Sequence, residues 1–312
     1  MPFNELRGFA REIFLEKKIE ELVAIYRASK KRLLRQINLM DLTDYQKART
    51  EYLLAQINAE IISLNQVVRD WAKKAGAHAY YAGLDLSQDR IRALNVSRYV
   101  NYDAVIHKSA INVLVDSMTI DFLTANQSIK RNITNIIKMT QQKLIEDKQI
   151  SKMLAEGMIE GQTRRQISGR LAEEFKKRID DERLITINGK NYLPEAYSRM
   201  VTRARFMEAS NTASVNSALQ YGIDLVQVSV HSGSCDLCDP FQGKIFSVSG
   251  TNPDFPVLEE RPPYHPNCRH VLLPVTKEYL TAKGLYRNSS RFSLSSKSVD
   301  TFKDFESELK YV

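Results

Sequence analysis

Apolar residues recur at alternating steps of three and four along two early stretches, and this spacing restricts the fold more than any other feature. The polar segment NLMDLTDY separates the two series. Steps of three and four place side chains on one face of an α-helix, so two helices joined by a short turn are predicted to form an antiparallel hairpin. The first series is Leu15, Ile19, Leu22, Tyr26, Leu33 and Ile37, and the second is Leu54, Ile57, Ile61, Leu64, Val68 and Trp71.

These apolar stripes need a cover, and the pattern is compatible with two kinds of cover. The stripes can form a core within the chain, or they can form a rod that docks on partner subunits. The second interpretation is favoured because the helices are long and few obvious covers follow nearby. Glycines and polar residues in GAHAYYAGLDLSQ, residues 76–88, predict a break in the helical pattern, which resumes across about 102–156.

The second half of the chain carries turn signals around one long helix. Asn188-Gly189 lies between alternating apolar and polar residues, which predicts a β-hairpin with a type I′ turn. Pro194 suits the first turn of a helix, and Gly222 suits the position just after its end. The segment DLVQVSV is predicted to be a strand, and FQGKIFSVSG a pair of strands.

The predicted fold is mainly α, with a long helical hairpin N-terminally and a small α+β module C-terminally. That module combines the β-hairpin with strands and loops. We expect a helical domain at 1–156 and a domain with the hairpin, a helix and this module at 157–285. A serine-rich polar tail follows at 286–312.

Charge and hydropathy exclude some classes of protein. Charges throughout the opening MPFNELRGFAREIFLEKK argue against a secretory signal. The sequence contains no run of about 18 apolar residues, so no membrane span is predicted. Synthesis in the cytoplasm is therefore expected. The net charge of +8 is compatible with nucleic acid as a partner. The densest basic run is either a solvated helix face or a DNA contact, and it comprises Arg27, Lys30, Lys31, Arg32 and Arg35.

All three cysteines of the chain lie in two short segments near residue 250. Cys235-x2-Cys238 is followed, after residues 239–264, by His265-x2-Cys268. Two ligand pairs of this spacing supply the Cys₃His set of a closed tetrahedral zinc site. His270 and His231 are alternative fourth ligands. A metal would also compensate for the small core of such a module, so the strands and loops of the C-terminal module at 157–285 are predicted to form a zinc module, held together by the ion.

Other interpretations of these residues are weaker. An odd number of cysteines and no sign of secretion disfavour a disulfide, and the βαβ context of a thioredoxin-like pair is lacking. A catalytic cysteine with His231 or His270 as base is compatible with the residues. HPNCRH also has a superficial similarity to His-Asn-His nucleases, which need a histidine general base beside a metal with open positions for water and phosphate. A histidine that is a ligand in a closed zinc site could not act as that base.

Three segments carry a resemblance to a known family. They are NGKNYLPEAYSRMVTR, then SNTASVNSALQYGIDLVQVSVHSGSCDLCDPFQGKIFSVSG, then PPYHPNCRHVLLP. Together they resemble the minor capsid (type 2) proteins of tailed bacteriophages, which are related to phage head-morphogenesis proteins. The resemblance is dense over about 185–275. The positions of its motif are occupied by Cys235, Cys238, His265, Cys268, Arg269 and His270.

The resemblance implies a non-enzymatic minor structural protein of the phage head. Its expected partners are the portal protein, other head proteins and packaged double-stranded DNA, with neither a membrane nor a small-molecule substrate. The expected location is the virion, in the head interior or portal region, with roles in head morphogenesis, DNA packaging or ejection. The alternatives are a metal-dependent nuclease of His-Asn-His type and a zinc-containing DNA-binding protein.

Overall fold

The computed structural model of the chain describes residues 9–38, 47–96, 101–146, 179 and 183–283. The described part confirms a mainly α fold with two small antiparallel sheets towards the C-terminus, and none of its helices is long and apolar enough to cross a membrane. Its elements are the helices α1 (Phe9–Asn38), α2 (Lys47–Ala93) and α3 (Val105–Glu146), the strands β1 (Ile185–Ile187) and β2 (Lys190–Tyr192), the helix α4 (Pro194–Gln220), the strands β3 (Leu225–Val228), β4 (Ile245–Ser247) and β5 (Leu272–Val275), and the helix α5 (Lys277–Ala282).

The chain divides into two compact units. We call the described residues within Glu20–Trp71 and Thr119–Arg199 the helical unit, and the described residues within Met1–Ile19, Ala72–Met118 and Met200–Val312 the sheet unit. The predicted domain boundaries at 156/157 and 285/286 lie outside the described residues, as does the predicted tail. The predicted division into three regions therefore stays a prediction.

Most members of the apolar stripes of α1 and α2 are buried in the core of the helical unit. Leu22 is 0% exposed and Ile61 is 1% exposed. Helix α3 adds Phe122, Ile129 and Ile133, all buried, so the chain supplies the cover itself. The interpretation that these stripes dock on partner subunits is therefore wrong. The reason is that α3 packs against the hairpin. Because α3 is distant from the hairpin in sequence, this contact could not be inferred from the local pattern.

A short polar chain connects the three helices inside this unit. Tyr26 donates from its hydroxyl to Asn126 Oδ1 at 2.9 Å, and Asn126 Nδ2 donates to Asn65 Oδ1 at 2.8 Å. Burial raises the pKa of Tyr26 well above its usual value. These hydrogen bonds satisfy polar atoms that would otherwise be costly to bury, so they favour one alignment of the helices.

The β1–β2 hairpin forms as predicted. Asn188 and Gly189 have φ of 48° and 73°, the left-handed values that a type I′ turn requires. Side chains of α3 hold the first strand, since Thr186 N donates to Ser128 Oγ at 2.8 Å and Asn132 Nδ2 donates to Leu184 O at 2.9 Å. The hairpin thus has partners for backbone groups beyond its own two strands.

Helix α2 does not break at residues 76–88, contrary to prediction, but continues to Ala93. A Cβ atom at Gly83 would lie 2.3 Å from Cα of Ser210 on α4. The glycine is therefore a point of close helix packing and not a stop signal.

The hydroxyl of Tyr80, in the same unit, connects two other helices. It lies 2.9 Å from His107 Nδ1 of α3 and 2.8 Å from Asn216 Nδ2 of α4. His107 is thus a buried, packed residue of α3.

The three-stranded sheet of the sheet unit has the order β4-β3-β5, with both pairs antiparallel. FQGKIFSVSG contributes one strand of this sheet, β4, rather than the predicted pair. Strand β3 is central, and all four of its residues are buried. The core beside it contains Ile91 of α2, Val215 and Ala218 of α4, and Val226, Val228 and Leu272 of the sheet.

Candidate metal centre

Antiparallel pairing of β3 with β5 brings the two cysteine-bearing loops to the same end of the sheet. Val228, the last residue of β3, pairs with Leu272, the first residue of β5. The Cys235 loop follows the former and the His265 loop precedes the latter. Residues about thirty positions apart are therefore neighbours because of strand register, and not because of local sequence.

Each loop forms a tight turn at its ligand pair. In the first loop Cys238 N donates to Cys235 O at 2.8 Å, and in the second Cys268 N donates to His265 O at 3.1 Å. Asn267 has a φ of 68°, a left-handed value that asparagine tolerates better than most residues. These turns direct both members of each pair towards the other loop.

Asn211 of α4 anchors both ends of the second loop. Its Nδ2 donates to Pro262 O at 3.0 Å and to His270 O at 3.1 Å, and its Oδ1 accepts from Leu272 N at 2.8 Å. Ser229, which directly follows β3, adds a link, because its Oγ accepts from Val271 N at 3.0 Å. The backbone on which His265 and Cys268 are carried is thus fixed by side chains outside the loop.

The sulfur and nitrogen atoms of the predicted cluster lie close together. His265 Nε2 is 3.1 Å from Cys238 Sγ and 3.3 Å from Cys235 Sγ. Cys238 Sγ is 3.8 Å from Cys268 Sγ, and Cys268 Sγ is 3.5 Å from His270 Nδ1. Within the described residues these donors form two groups of three that share Cys238, namely Cys235, Cys238 and His265, and Cys238, Cys268 and His270.

Two of these separations have the values expected for ligands of one tetrahedral ion. Two sulfurs each about 2.3 Å from a tetrahedral zinc lie about 3.8 Å apart, and a sulfur and a nitrogen about 3.6 Å apart. The Cys238–Cys268 separation of 3.8 Å equals the first value and is far longer than the roughly 2 Å of an S–S bond, and the Cys268–His270 separation of 3.5 Å is close to the second. His265 Nε2 lies closer to its two sulfurs, at 3.1 and 3.3 Å. His265 Nδ1 lies 2.7 Å from Pro266 O. If Nδ1 donates to this carbonyl, Nε2 is left as the ligand atom.

The ionisation of the cysteines depends on their surroundings. Burial, followed by hydrogen bonds with Cys268 and Cys235, raises the pKa of Cys238 to about 12. Burial also acts to raise the pKa of Cys235, but hydrogen bonds from the backbone of Cys238 and Leu237 outweigh it and lower that pKa. A divalent cation would stabilise the Cys238 thiolate, which burial alone disfavours. The donor set therefore fits zinc.

The other two histidines of this region differ in role. His231 lies with Nε2 2.9 Å from Ser229 Oγ, and its ring meets the His270 ring edge-on, with centroids 4.9 Å apart. Burial, then the charges of His231 and His265, lowers the pKa of His270 to about 4. A neutral imidazole is the form that binds metals. His270 thus belongs to the donor cluster, whereas His231 contacts it from outside.

The predicted basic run lies on α1, and its members have different environments. Arg27, Lys31 and Arg35 are exposed at steps of four. Arg32 Nη2 donates to Glu60 Oε1 at 2.8 Å, and this hydrogen bond raises the pKa of Arg32. Lys30 is half-buried and lines a small cavity. Three of the five therefore form one exposed basic face.

The anchoring side chains of the cluster were not identified from the sequence. Asn211 and Ser229 have no motif spacing relative to the cysteines, and Phe241 stacks on Tyr264 with ring centroids 4.1 Å apart. One signal was available, because α4 carries the polar residues Asn211, Ser214 and Ser217 at steps of three. Two of these polar residues, Asn211 and Ser214, hydrogen bond the backbone of β5.

One known protein family matches the part of the chain that contains both the helices and this cluster. The family model described as phage minor capsid protein 2 matches residues 13–285. No curated protein and no solved structure is significantly similar to the chain.

Proposed function

The chain belongs to the phage minor capsid protein 2 family, and from that premise we propose that it is a zinc-stapled, portal-associated protein of a tailed-phage head. Family membership gives a structural role in the phage head, a place in the virion and association with other head proteins. The portal as the binding partner, a part in packaging or ejection of DNA, and the zinc ion are our proposals.

The observation that carries the proposal is the extent of the family match. It spans residues 13–285 and so includes both the helical unit and the complete Cys/His cluster. In our proposal zinc is held by Cys235, Cys238, His265 and Cys268 and only stabilises the fold, because four protein ligands leave no position for water or substrate. The function then resides in surfaces that contact other head proteins.

The nuclease alternative has less support from the geometry. His270, the second histidine of HPNCRH, is 3% exposed and lies among sulfur ligands. A general base has to reach a water molecule beside the phosphate. The DNA-binding alternative is also disfavoured at this loop, since Asp236 and Asp239 are exposed beside Cys238 and would repel phosphates.

The test of the proposed function is the protein content of purified virions. We expect the chain at a few copies per particle, retained after nuclease treatment and salt washing, when quantified by mass spectrometry against the major capsid protein. Its absence from virions would contradict the proposal. Divalent-metal-dependent DNA cleavage that is lost in a His270→Ala variant would instead favour the nuclease.

A second measurement tests the metal independently. We expect about one zinc per purified chain, and Cys238→Ser and Cys268→Ser should each reduce it strongly, because both sulfurs are buried members of the cluster. Ser232→Ala, an exposed change in the same loop, should leave the zinc content unaltered. Chelation should increase hydrogen exchange over 225–275 but not over 20–71, since binding and folding of the module are coupled. Unchanged exchange after metal removal would refute the structural role of zinc.

A further inference from the structure

The cluster contains five donor atoms, whereas tetrahedral zinc takes four. Two groups of three share Cys238, and His270 belongs to only one of them. A closed Cys₃His site accounts for four of these donors and leaves His270 beside the ion without a role. The arrangement therefore raises the question of which donor can be replaced.

We propose that His270 is a fifth donor to the same ion and that Cys235 is the exchangeable ligand. The inference rests on the proposed zinc site and names its regulation. When Cys235 leaves the ion, Cys238, Cys268, His265 and His270 complete the tetrahedron. When Cys235 binds, His270 lies outside the coordination shell.

Burial distinguishes the permanent cysteine ligands from the exchangeable one. Cys238 and Cys268 are 1% and 3% exposed, whereas Cys235 is exposed to solvent. A ligand on the surface can leave towards water without opening a cavity in the core. Cys238 and Cys268 would lose their metal contact without gaining water, so they remain with the ion, and His270, which is 3% exposed, stays beside it in the core.

The position of His270 allows it to take the vacated place. Its carbonyl is held by Asn211 at 3.1 Å, and its Nδ1 already lies 3.5 Å from Cys268 Sγ. Its Nε2 is buried and has no hydrogen-bond partner. The ring of His270 is therefore not fixed in one orientation by a hydrogen bond at Nε2. The ring of His265 differs, because its Nδ1 contacts Pro266 O. A small rotation of the ring is enough to alternate between contact with the ion and packing against it.

The consequence is an exposed thiol that can react while the ion stays bound. Alkylation of Cys235 would remove one ligand, and His270 would replace it. The sheet unit would keep its metal and its fold. A site with only four donors would lose a quarter of its ligands and release zinc under the same treatment.

The test compares zinc content in four proteins: the wild type, Cys235→Ser, His270→Ala and the double variant. We expect about one zinc per chain in the first three, and less than half of that in the double variant. In the cobalt-substituted Cys235→Ser protein, sulfur-to-cobalt charge-transfer absorption should fall to about two thirds, because two thiolates remain of three. Cys235→Ser combined with His231→Ala is the matched control, since it removes an imidazole that lies outside the donor cluster, and it should retain zinc.

Each outcome separates this inference from the proposed zinc site. If Cys235→Ser alone loses zinc as fully as Cys238→Ser, or if the double variant keeps it, His270 is not a replacement donor. A wild-type protein without zinc would refute the site itself.

A second arm avoids substitutions that could impair folding. Iodoacetamide applied to the zinc-loaded wild type should form an S–C bond at Cys235, releasing iodide, while zinc is retained. Release of zinc in proportion to alkylation would overturn the inference.

Discussion

Gly83 shows how much one residue decides at the crossing of α2 and α4. Alanine is about 1 kcal/mol better than glycine in a helix interior, so propensity alone favours replacement. At this position, however, the added Cβ would lie 2.3 Å from Cα of Ser210 and 2.6 Å from its carbonyl oxygen. Backbone atoms on the other helix cannot move away as a side chain can.

We therefore predict that Gly83→Ala lowers the free energy of unfolding by more than about 2 kcal/mol. Gly76→Ala is the matched control on the same helix, because its Cβ would meet only side-chain atoms, with Val115 Cγ2 at 3.0 Å. Its effect should lie within about 1 kcal/mol of zero. Denaturant unfolding of both variants measures the difference, and equal values would contradict close packing at Gly83.

At the scale of elements, α2 has one buried face and one exposed face in the helical unit. Ile61 is 1% exposed and Ile62 is 60% exposed, although they are adjacent in sequence. The two residues are the same amino acid in the same helix, so they differ only in which face they occupy. That makes them a direct test of the buried stripe.

Ile61→Asp should destabilise the protein by about 3–5 kcal/mol, because an unpaired charge would be buried. Ile62→Asp should change the stability by less than about 1 kcal/mol. Thermal or denaturant unfolding, followed by circular dichroism, checks both values. Similar losses in the two variants would mean that the exposed face of α2 is also covered.

At the scale of the whole molecule, the net charge of +8 predicts a partner only when the surface that carries the positive side chains is identified. Arg27, Lys31 and Arg35 form an exposed face, and Arg32 is paired with Glu60. We propose that this face contacts packaged DNA. Binding should be independent of DNA sequence and should weaken steeply with salt, because phosphate contacts release counterions.

Replacing Arg27, Lys31 and Arg35 together by Glu should abolish retention on DNA at about 50 mM salt. The control replaces Arg69, Lys73 and Lys74 by Glu, which removes the same charge from exposed positions of α2. Electrophoretic mobility shifts at several salt concentrations measure the effect. If the control variant loses binding equally, net charge and not this face is responsible.

Local physical rules explain which features the sequence alone determined. Steps of three and four predicted the helices of the hairpin, and Asn188-Gly189 predicted its β-turn because few other pairs tolerate two positive φ angles. The C-x2-C and H-x2-C spacings identified the residues that converge in the metal cluster, although the bound ion remains a prediction. These signals each arise within a few positions of the chain.

Tertiary structure decided what those residues meet. Whether the stripe at Leu22 is core or interface depended on α3, and whether Gly83 ends or packs a helix depended on Ser210 of α4. His270 joins the donor cluster because β3 and β5 pair in one register and Asn211 holds its carbonyl. Burial and ligand geometry are properties of atoms brought together from distant parts of the chain, so no local pattern encodes them.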